Sequence, residues 1–345
     1  MSKRAFVLGG SGFVGRHVAR RLSESGWDVT IASRGETAIP PEVGGLRHVS
    51  VDRAEGIQLN KALGKGVDVL VDVIPYEIRD AQQLLDLGDM AGSVVAISSA
   101  SVYEDAEGRS LDTIPAGNFP AFANLIAESQ RTVASGDKSY STKKAAIEEM
   151  LLGQGVLPVT VIRPCAVYGP GDTLCREWFF VKRALDRRPH VLLAYEGKSV
   201  FHTSSVRNVA ELVRLAAESP GTRAFNCGDP DPPDVLRISR TIANAVGHEW
   251  DEFLVSAEES EDPSLRNPWR APRPMILDMS KAKNELGYAP VVTYDDAITE
   301  TVEWIRGVAT PSEWKVALPR AGEYLGGRFD YAAEDAFLRE SSSRP

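Results

Sequence analysis

Cysteine is scarce in this 345-residue chain: Cys165, Cys175 and Cys227 are widely spaced and odd in number. No Cys-x-x-Cys pair exists, and no histidine stands at zinc-ligand spacing from a cysteine. A disulfide framework and a structural metal site are therefore not expected, and free thiols fit a reducing, cytoplasmic setting. Long apolar runs are lacking too. Ala5 to Leu8 is too short for the apolar core of a signal peptide, and no stretch approaches the roughly 18 residues of a membrane helix. Positive charge is in deficit, with 39 Lys and Arg against 48 Asp and Glu and a net charge of −9. Charge thus gives no general reason to approach a polyanion such as nucleic acid, although a local basic cleft can exist on an acidic protein.

What remains is an ordinary globular composition, 43% hydrophobic and 25% charged, long enough for one large α/β unit or for two lobes. The apolar run Ala5-Phe6-Val7-Leu8 is cut by Gly9-Gly10-Ser11-Gly12-Phe13-Val14-Gly15, after which Val14, Val18 and Leu22 recur at helical spacing. Strand, glycine turn and helix in this order let backbone N–H groups and a positive helix end approach a pyrophosphate. Gly9, Ser11, Gly12, Phe13, Val14 and Gly15 are accordingly the expected cofactor cradle.

Val29 to Ala32 forms the second strand, and it ends in Ser33-Arg34-Gly35 where an NAD-specific protein places a carboxylate for the ribose hydroxyls. A hydroxyl followed by a guanidinium suits a 2′-phosphate instead, so NADP is favoured over NAD. His48 to Val51, Val67 to Ile74, Ser93 to Ile97 and Val159 to Ile162 supply further strands separated by helical patterns, the signature of a parallel doubly wound sheet. Asp52, after the third strand, can accept from an adenine amino group, and Arg53 and Ile74 join the expected cofactor contacts. Asp72 is a carboxylate inside an apolar strand and requires partners that the sequence does not name.

The fifth strand delivers Ser98 and Ser99 to its carboxyl end, where open α/β sheets place their ligands. A long polar connection, residues 104–139, follows; it is expected to be a loop with a short helix, and a lid is one reading of it. Tyr140 and Lys144 then stand four apart at the start of a helix, on one face, so the ammonium favours ionisation of the phenol. Lys143 points away. Farther on, Arg176 to Arg188 reads as an amphipathic helix whose outer side carries Arg176, Lys182, Arg183 and Arg187. Those cations are either a solvated face or a patch for a substrate anion. His202 lies in a strand-like stretch, Ser199 to Thr203, and reads as a core histidine; Asp229 to Asp234 is proline-rich and reads as a crossing between lobes. The tail Ser341 to Pro345 is expected to fray.

In this order Gly9 to Gly15, Val95 to Tyr103, Tyr140 to Glu148, Arg163 to Asp172, and Leu277 to Lys281 with Leu286-Gly287-Tyr288 resemble the short-chain dehydrogenase/reductase superfamily. The similarity is to its extended branch, which contains NAD-dependent epimerases and dehydratases. The resemblance implies a Rossmann-type doubly wound parallel sheet with a smaller C-terminal substrate-binding lobe. The expected division is residues 1–164 plus about 197–226 for the NAD(P) domain, and 165–196 with 227–345 for the substrate lobe and tail. It also implies that Ser99 is the catalytic serine, Tyr140 the general acid/base, and Lys144 the lysine that holds the nicotinamide ribose and tunes the tyrosine. Pro164 and Val167 would pass the nicotinamide end, and Ser101, Tyr103 and Arg270 are candidate substrate contacts. A homodimer through the Tyr140 helix and its neighbour follows by analogy. Ala100-Ser101 stands where sugar dehydratases of this branch carry Asp-Glu, which argues against dehydration. A net reductase or dehydrogenase is the first expectation and an epimerase the second. The first half also resembles the chloroplast stem-loop RNA-binding proteins, so a non-catalytic RNA- or partner-binding protein on a dinucleotide fold is the third.

Overall fold

The computed structural model describes residues 2–342 apart from 37, 259, 261, 263 and 264. The last three residues of the tail, Ser343 to Pro345, lie outside them.

Four apolar runs become the buried middle of a seven-stranded parallel sheet. Its strands are β1 (Arg4–Leu8), β2 (Asp28–Ser33), β3 (Arg47–Ser50), β4 (Val69–Asp72), β5 (Val94–Ile97), β6 (Val159–Pro164) and β7 (Arg223–Cys227), in the order β7-β6-β5-β4-β1-β2-β3. Every registered pair in it is parallel. A sheet covered on both faces needs strands that are apolar on both, and β4 and β5 are buried along their whole length. Alternation sorts the side chains. Val7, Val71, Val95 and Ile162 share a core with Val18 and Leu22 of helix α1 (Phe13–Glu24) and with Val209, Leu212 and Val213 of the helix Val206–Glu218. Phe6, Leu70, Val94 and Val161 turn the other way, onto Leu59 and Leu63 of α2 (Gly56–Leu63), Ala81 and Leu84 of α3 (Ile78–Asp86), and Ile147 and Leu151 of α4 (Tyr140–Leu152). Each fully buried aliphatic side chain here contributes about 1.5–3 kcal/mol.

The chain divides into two compact units, residues 1–167, 204–229 and 277–291 in the first, and 168–203, 230–276 and 292–345 in the second. The stretch 277–291, which the sequence reading gave to the second lobe, returns to the first. Leu277 there bridges Ile126, and the buried Tyr288 hydroxyl meets the Cys227 thiol and donates to the Asn208 carbonyl. Residues 197–203, which the sequence reading gave to the first, lie in the second, and one boundary falls between 229 and 230.

The second unit has its own core. Trp178, Phe180, Ile238, Trp269, Ile298, Val302 and Trp314 pack together, with the Phe180 and Trp269 rings stacked at 5.8 Å. Strands His190–Leu193 and Asp251–Leu254 pair parallel beside it. The helix expected from Arg176 to Arg188 spans Trp178–Leu185, bounded by left-handed Cys175 and Arg187. Its outer face is not uniformly solvated: Arg183 is fully buried against Glu334. His202 is buried, and its stretch makes an isolated bridge from Phe201 to Met275 instead of a strand.

Candidate active site

The glycine turn forms as expected. The Gly9 and Gly10 N–H groups bond the Ala32 carbonyl at 2.9 and 3.2 Å, and the Gly12 N–H bonds Gly9 O at 2.9 Å. Gly9 is left-handed (φ 77°), and a Cβ there would lie 2.8 Å from Val73 and 2.9 Å from Ile74; one on Gly15 would lie 2.1 Å from Gly9 O. Only glycine lets helix and turn approach so closely. No side chain caps the N-terminus of α1, so the first-turn N–H groups of Phe13, Val14 and Gly15 face the turn without one. This cradle fits a dinucleotide pyrophosphate.

At the end of β2 the Ser33 hydroxyl is 2.9 Å from His48 Nε2, and the exposed Arg34 guanidinium is 3.0 Å from the equally exposed Glu36. Glu36 was not singled out in the sequence, and it brings a carboxylate to this edge. Asp52 is exposed, with Oδ1 accepting from the Ala54 N–H at 3.0 Å. Arg53 departs from expectation. Its guanidinium turns inward onto Asp72, 2.9 Å away, and Asp80, 3.2 Å away, and is committed there instead of being open to a cofactor. Asp72 thereby gains the partner that the sequence required, and the signal was available: a carboxylate in an apolar strand calls for a nearby cation.

β5 ends at Ile97, and the Ser98 N–H continues its pairing onto the Ile162 carbonyl. The Ser99 hydroxyl accepts from the Ser101 N–H at 3.1 Å and caps a short 3-10 turn, Ala100–Val102. The Ser98 and Ser101 hydroxyls are buried and have no hydrogen-bond partner among the described residues. Tyr103, a candidate substrate contact in the sequence, is instead a core residue. Its hydroxyl donates to Asn226 Oδ1 at 2.6 Å and accepts from Arg163 at 2.9 Å, and burial raises its pKa. Arg270 belongs to the second unit, where it donates to the Ser260 carbonyl at 2.8 Å.

α4 begins at Tyr140 behind a reciprocal cap, Ser139 Oγ accepting from the Thr142 N–H and Thr142 Oγ1 from the Ser139 N–H. Tyr140 is half exposed, whereas Lys144, one turn on, is 2% exposed. The ammonium donates to the Pro75 carbonyl at 2.7 Å and the Ile97 carbonyl at 2.9 Å, and lies 5.7 Å from the centre of the Tyr140 ring. Burial lowers its pKa from 10.5 to about 8, against the opposing pull of Asp72, Glu148 and Asp80. Ser99 stands two residues beyond the Ile97 carbonyl that holds this ammonium. Pro164 is buried at the end of β6, and Val167, partly buried, follows.

The long connection, residues 104–139, is fastened, which is contrary to a lid. Tyr103 bridges Thr132, Glu104 N–H bonds Arg131 O at 3.0 Å, and Val133 N–H bonds Val102 O at 2.8 Å. Ser141 donates to Asp112 at 2.8 Å, and the only regular helical turn in the connection is the 3-10 segment Leu111–Ala116. The sequence also did not show that Glu148, Arg163, Tyr103 and Asn226 form a buried group behind this site, with the partly buried Glu128 at its edge.

Residues 5–228 match the family model for the NAD dependent epimerase/dehydratase family. The chain belongs to that family. Membership makes it an enzyme of the extended short-chain dehydrogenase/reductase type, an NAD(P)-dependent oxidoreductase or epimerase on a Rossmann sheet. Proteins with similar sequence include the chloroplast stem-loop binding protein of 41 kDa b of Arabidopsis thaliana, 24% identical over 87% of this chain and 78% of that protein. Another is the 3-beta-hydroxysteroid dehydrogenase of Mycolicibacterium neoaurum, 25% identical over 87% of this chain and 91% of that protein. Among solved structures, the UDP-glucose 4-epimerase of Thermus thermophilus in complex with NAD shares the fold at a TM-score of 0.64 and 21% identity, over 89% of this chain and all of that one. Among the described residues, no helix is long and apolar enough to cross a membrane, and no group of three or more His, Cys, Asp or Glu is placed to hold a metal.

Proposed function

We propose that this family member is an NADP-dependent reductase or dehydrogenase acting at a carbonyl or hydroxyl carbon of a small polar substrate. The observation that carries the reading is the buried Lys144 ammonium, fixed by two backbone carbonyls beside the Tyr140 ring. A bound nicotinamide supplies or accepts the hydride. Tyr140, half exposed, moves a proton to or from the substrate oxygen through its hydroxyl. Ser99 holds that oxygen, and Lys144 keeps positive charge next to the phenol and uses its remaining N–H on the nicotinamide ribose. The glycine turn takes the pyrophosphate, Ser33 and Arg34 the 2′-phosphate, Asp52 the adenine, and Ile74, Pro164 and Val167 line the path to the nicotinamide. The Ser101 hydroxyl, buried and unpartnered, is a further group for the substrate.

Support for net redox chemistry comes from the 25% identical steroid dehydrogenase and from Ala100-Ser101 in place of an acidic pair. A cytoplasmic homodimer joined through α3 and α4 belongs to the same proposal. A groove beside those helices, where Ile78, Ala146 and Met150 are rimmed by the charged Glu77, Asp137, Lys143 and Glu149, is the surface this proposal uses.

The test is turnover of NADPH with a panel of ketones, imines and sugars by the purified protein and by Tyr140→Phe. Loss of at least 100-fold in Tyr140→Phe, with cofactor binding retained, supports the assignment; undiminished activity sinks it. Tight retention of cofactor with no net change in reduced nicotinamide during turnover shifts the reading to an epimerase. Salt-sensitive binding of an RNA stem-loop without turnover shifts it to the RNA-binding alternative suggested by the chloroplast relative.

A further inference from the structure

Behind Lys144 lies a cluster of charged side chains joined by hydrogen bonds and, at Arg53 Nε and Asp72 Oδ2, by ion-pair proximity alone. Arg53 follows β3, and its guanidinium meets Asp72 through both terminal nitrogens, Nη1 at 3.2 Å and Nη2 at 2.9 Å. Nη1 also donates to the Ile74 carbonyl at 3.1 Å and Nη2 to the Asp80 carbonyl at 3.4 Å, while Nε lies 3.2 Å from Asp80 Oδ1. Asp72 is fully buried and accepts from the Ile74 N–H at 2.9 Å. Asp80 Oδ2 accepts from the Tyr76 N–H at 2.8 Å and the Glu77 N–H at 2.9 Å. Gln83 fastens the Arg53 carbonyl at 2.6 Å.

Between them, these three side chains hold most of the polar backbone of residues 74–77. Two parts of the site rest on that short segment and the residue before it. Val73 and Ile74 press on Gly9 of the glycine turn, and the Pro75 carbonyl takes a hydrogen bond from Lys144. Arg53, partly buried, and Lys144, buried, are two cations facing two carboxylates, Asp72 and Asp80, so charge balances within the cluster. The other ionisable groups turned towards Lys144 are accounted for. Glu148 is neutralised by Arg163, Glu77 by Lys143 at 2.7 Å, and the rings of Tyr76 and Tyr140 flank the ammonium at 5.1 and 5.7 Å.

We propose that Arg53, Asp72 and Asp80 are a positioning cluster for Lys144, fixing the 73–77 segment so that the Pro75 carbonyl and the carboxylate charge behind it hold the ammonium beside Tyr140. The inference rests on the role given to Lys144 above, and it reassigns Arg53 from touching the cofactor to shaping the ground beneath it. A buried ion group adds little net stability compared with apolar packing. What it provides here is a defined loop path and a defined charge at one lysine.

The charges act on Lys144 with opposite signs, which separates positioning from mere structural support. Asp72 favours the ammonium more than any other group, and Arg53 opposes it. Protein labelled with 13Cε-lysine reports the titration of Lys144 by NMR without any cofactor, the resonance being identified by its loss in Lys144→Met. The wild-type midpoint is expected at about 8. In Asp72→Asn it falls by about one pH unit or more, and in Arg53→Gln it rises. Midpoints that stay at the wild-type value in both variants overturn the proposal, as does a wild-type midpoint at the ordinary lysine value. If a single variant fails to fold, the paired Arg53→Met with Asp72→Asn replaces the ions by neutral groups, and its midpoint must still fall, because the loss of Asp72 outweighs the loss of Arg53. NADPH binding measured on the same samples by nicotinamide fluorescence separates the two readings. Titrations that move as expected in a protein that binds neither NADPH nor NADH uphold the cluster and sink the cofactor assignment. Cofactor binding with unmoved titrations does the reverse.

Discussion

The Arg163 Nε lies 3.1 and 3.0 Å from the two carboxylate oxygens of Glu148, and both side chains are buried. This pair ties α4, one turn beyond Lys144, to β6. Arg163 also donates to the Tyr103 hydroxyl and to the Glu128 carbonyl, at 2.9 and 3.2 Å. Asn226 on β7 receives Tyr103 and donates to the carbonyls of Ile126 and Asp278 at 2.7 and 3.1 Å. The segment that carries Ser99, the helix that carries Tyr140 and Lys144, and the 104–139 connection are thus locked through one guanidinium.

Breaking that pair from one side should be severe. Glu148→Leu leaves the Arg163 charge buried and unpaired, and a loss of about 3–5 kcal/mol in unfolding free energy is expected. Glu148→Leu combined with Arg163→Met should recover most of it, since neither charge remains to be desolvated. Urea denaturation of the three proteins checks this; a double variant no more stable than the single one would refute it.

Cofactor choice is testable at the edge of β2. Arg34→Ala should lower NADPH affinity about tenfold and leave NADH nearly unchanged, because a charge-assisted contact to a 2′-phosphate is lost. Glu36 competes for the same guanidinium across an exposed pair of small worth. Glu36→Gln should therefore strengthen NADPH binding about two- to threefold. Calorimetric titration of both cofactors reads both effects, and equal losses of NADPH and NADH in Arg34→Ala would contradict the assignment.

The sheet and the shared helical face of Tyr140 and Lys144 were legible because local chemistry dictates them. Apolar runs punctuated by glycine make parallel strands, and a four-residue spacing puts two side chains on one helical face. The interior ion pairs were not legible, because their partners are far apart in sequence. Arg53 and Asp72 are separated by 19 residues, and Arg183 and Glu334 by 151. Arg53 was read outward for that reason, Tyr103 was read as a substrate contact when its ring stacks under the Arg163 guanidinium, and Arg183 was placed on a helix face that periodicity alone marks as outer. The 104–139 connection looked like a lid because polar composition does not reveal that its backbone is bridged at Thr132 and Ile126.

Lys144 makes stability depend on pH in a known direction. Its folded pKa of about 8 lies below the unfolded value of 10.5, so between them the unfolded chain binds more protons and stability rises with pH. The buried ammonium costs stability below pH 8, and the cost fades towards pH 10. Compared with wild type, Lys144→Met should therefore gain most at pH 7, and its advantage should shrink by about 2–3 kcal/mol by pH 10. Denaturation of the two proteins at both pH values measures the difference; an advantage independent of pH would show that Lys144 does not titrate in this range.

The C-terminal helix of the second unit, Tyr331–Ser342, brings a carboxylate to a buried cation. Arg183 is fully buried and sits 3.7 Å over the Phe179 ring, donating to the carbonyls of Phe179 and Arg328 at 3.0 and 2.8 Å. Its charge is met by Glu334, and burial lowers the guanidinium pKa in spite of that partner. Glu334→Gln keeps a hydrogen-bond acceptor but removes the counter-charge, so a loss of about 3 kcal/mol is expected, near the lower end for a broken buried pair. The helix is also fastened by Asp335, which pairs with Arg188 and lies 3.1 Å from His190 Nε2, by the Tyr331 hydroxyl, which donates to Asp186 at 2.6 Å, and by Leu338 and Phe337 in a small apolar cluster with Leu192 and Val255, but Glu334 is its group against the fully buried charge. Limited proteolysis of Glu334→Gln should therefore cut near the start of this helix well before the rest of the chain, and the wild type should resist. Equal resistance in both would mean that the Asp335, Tyr331 and apolar contacts retain the helix, and that Arg183 is buried without needing its ion pair.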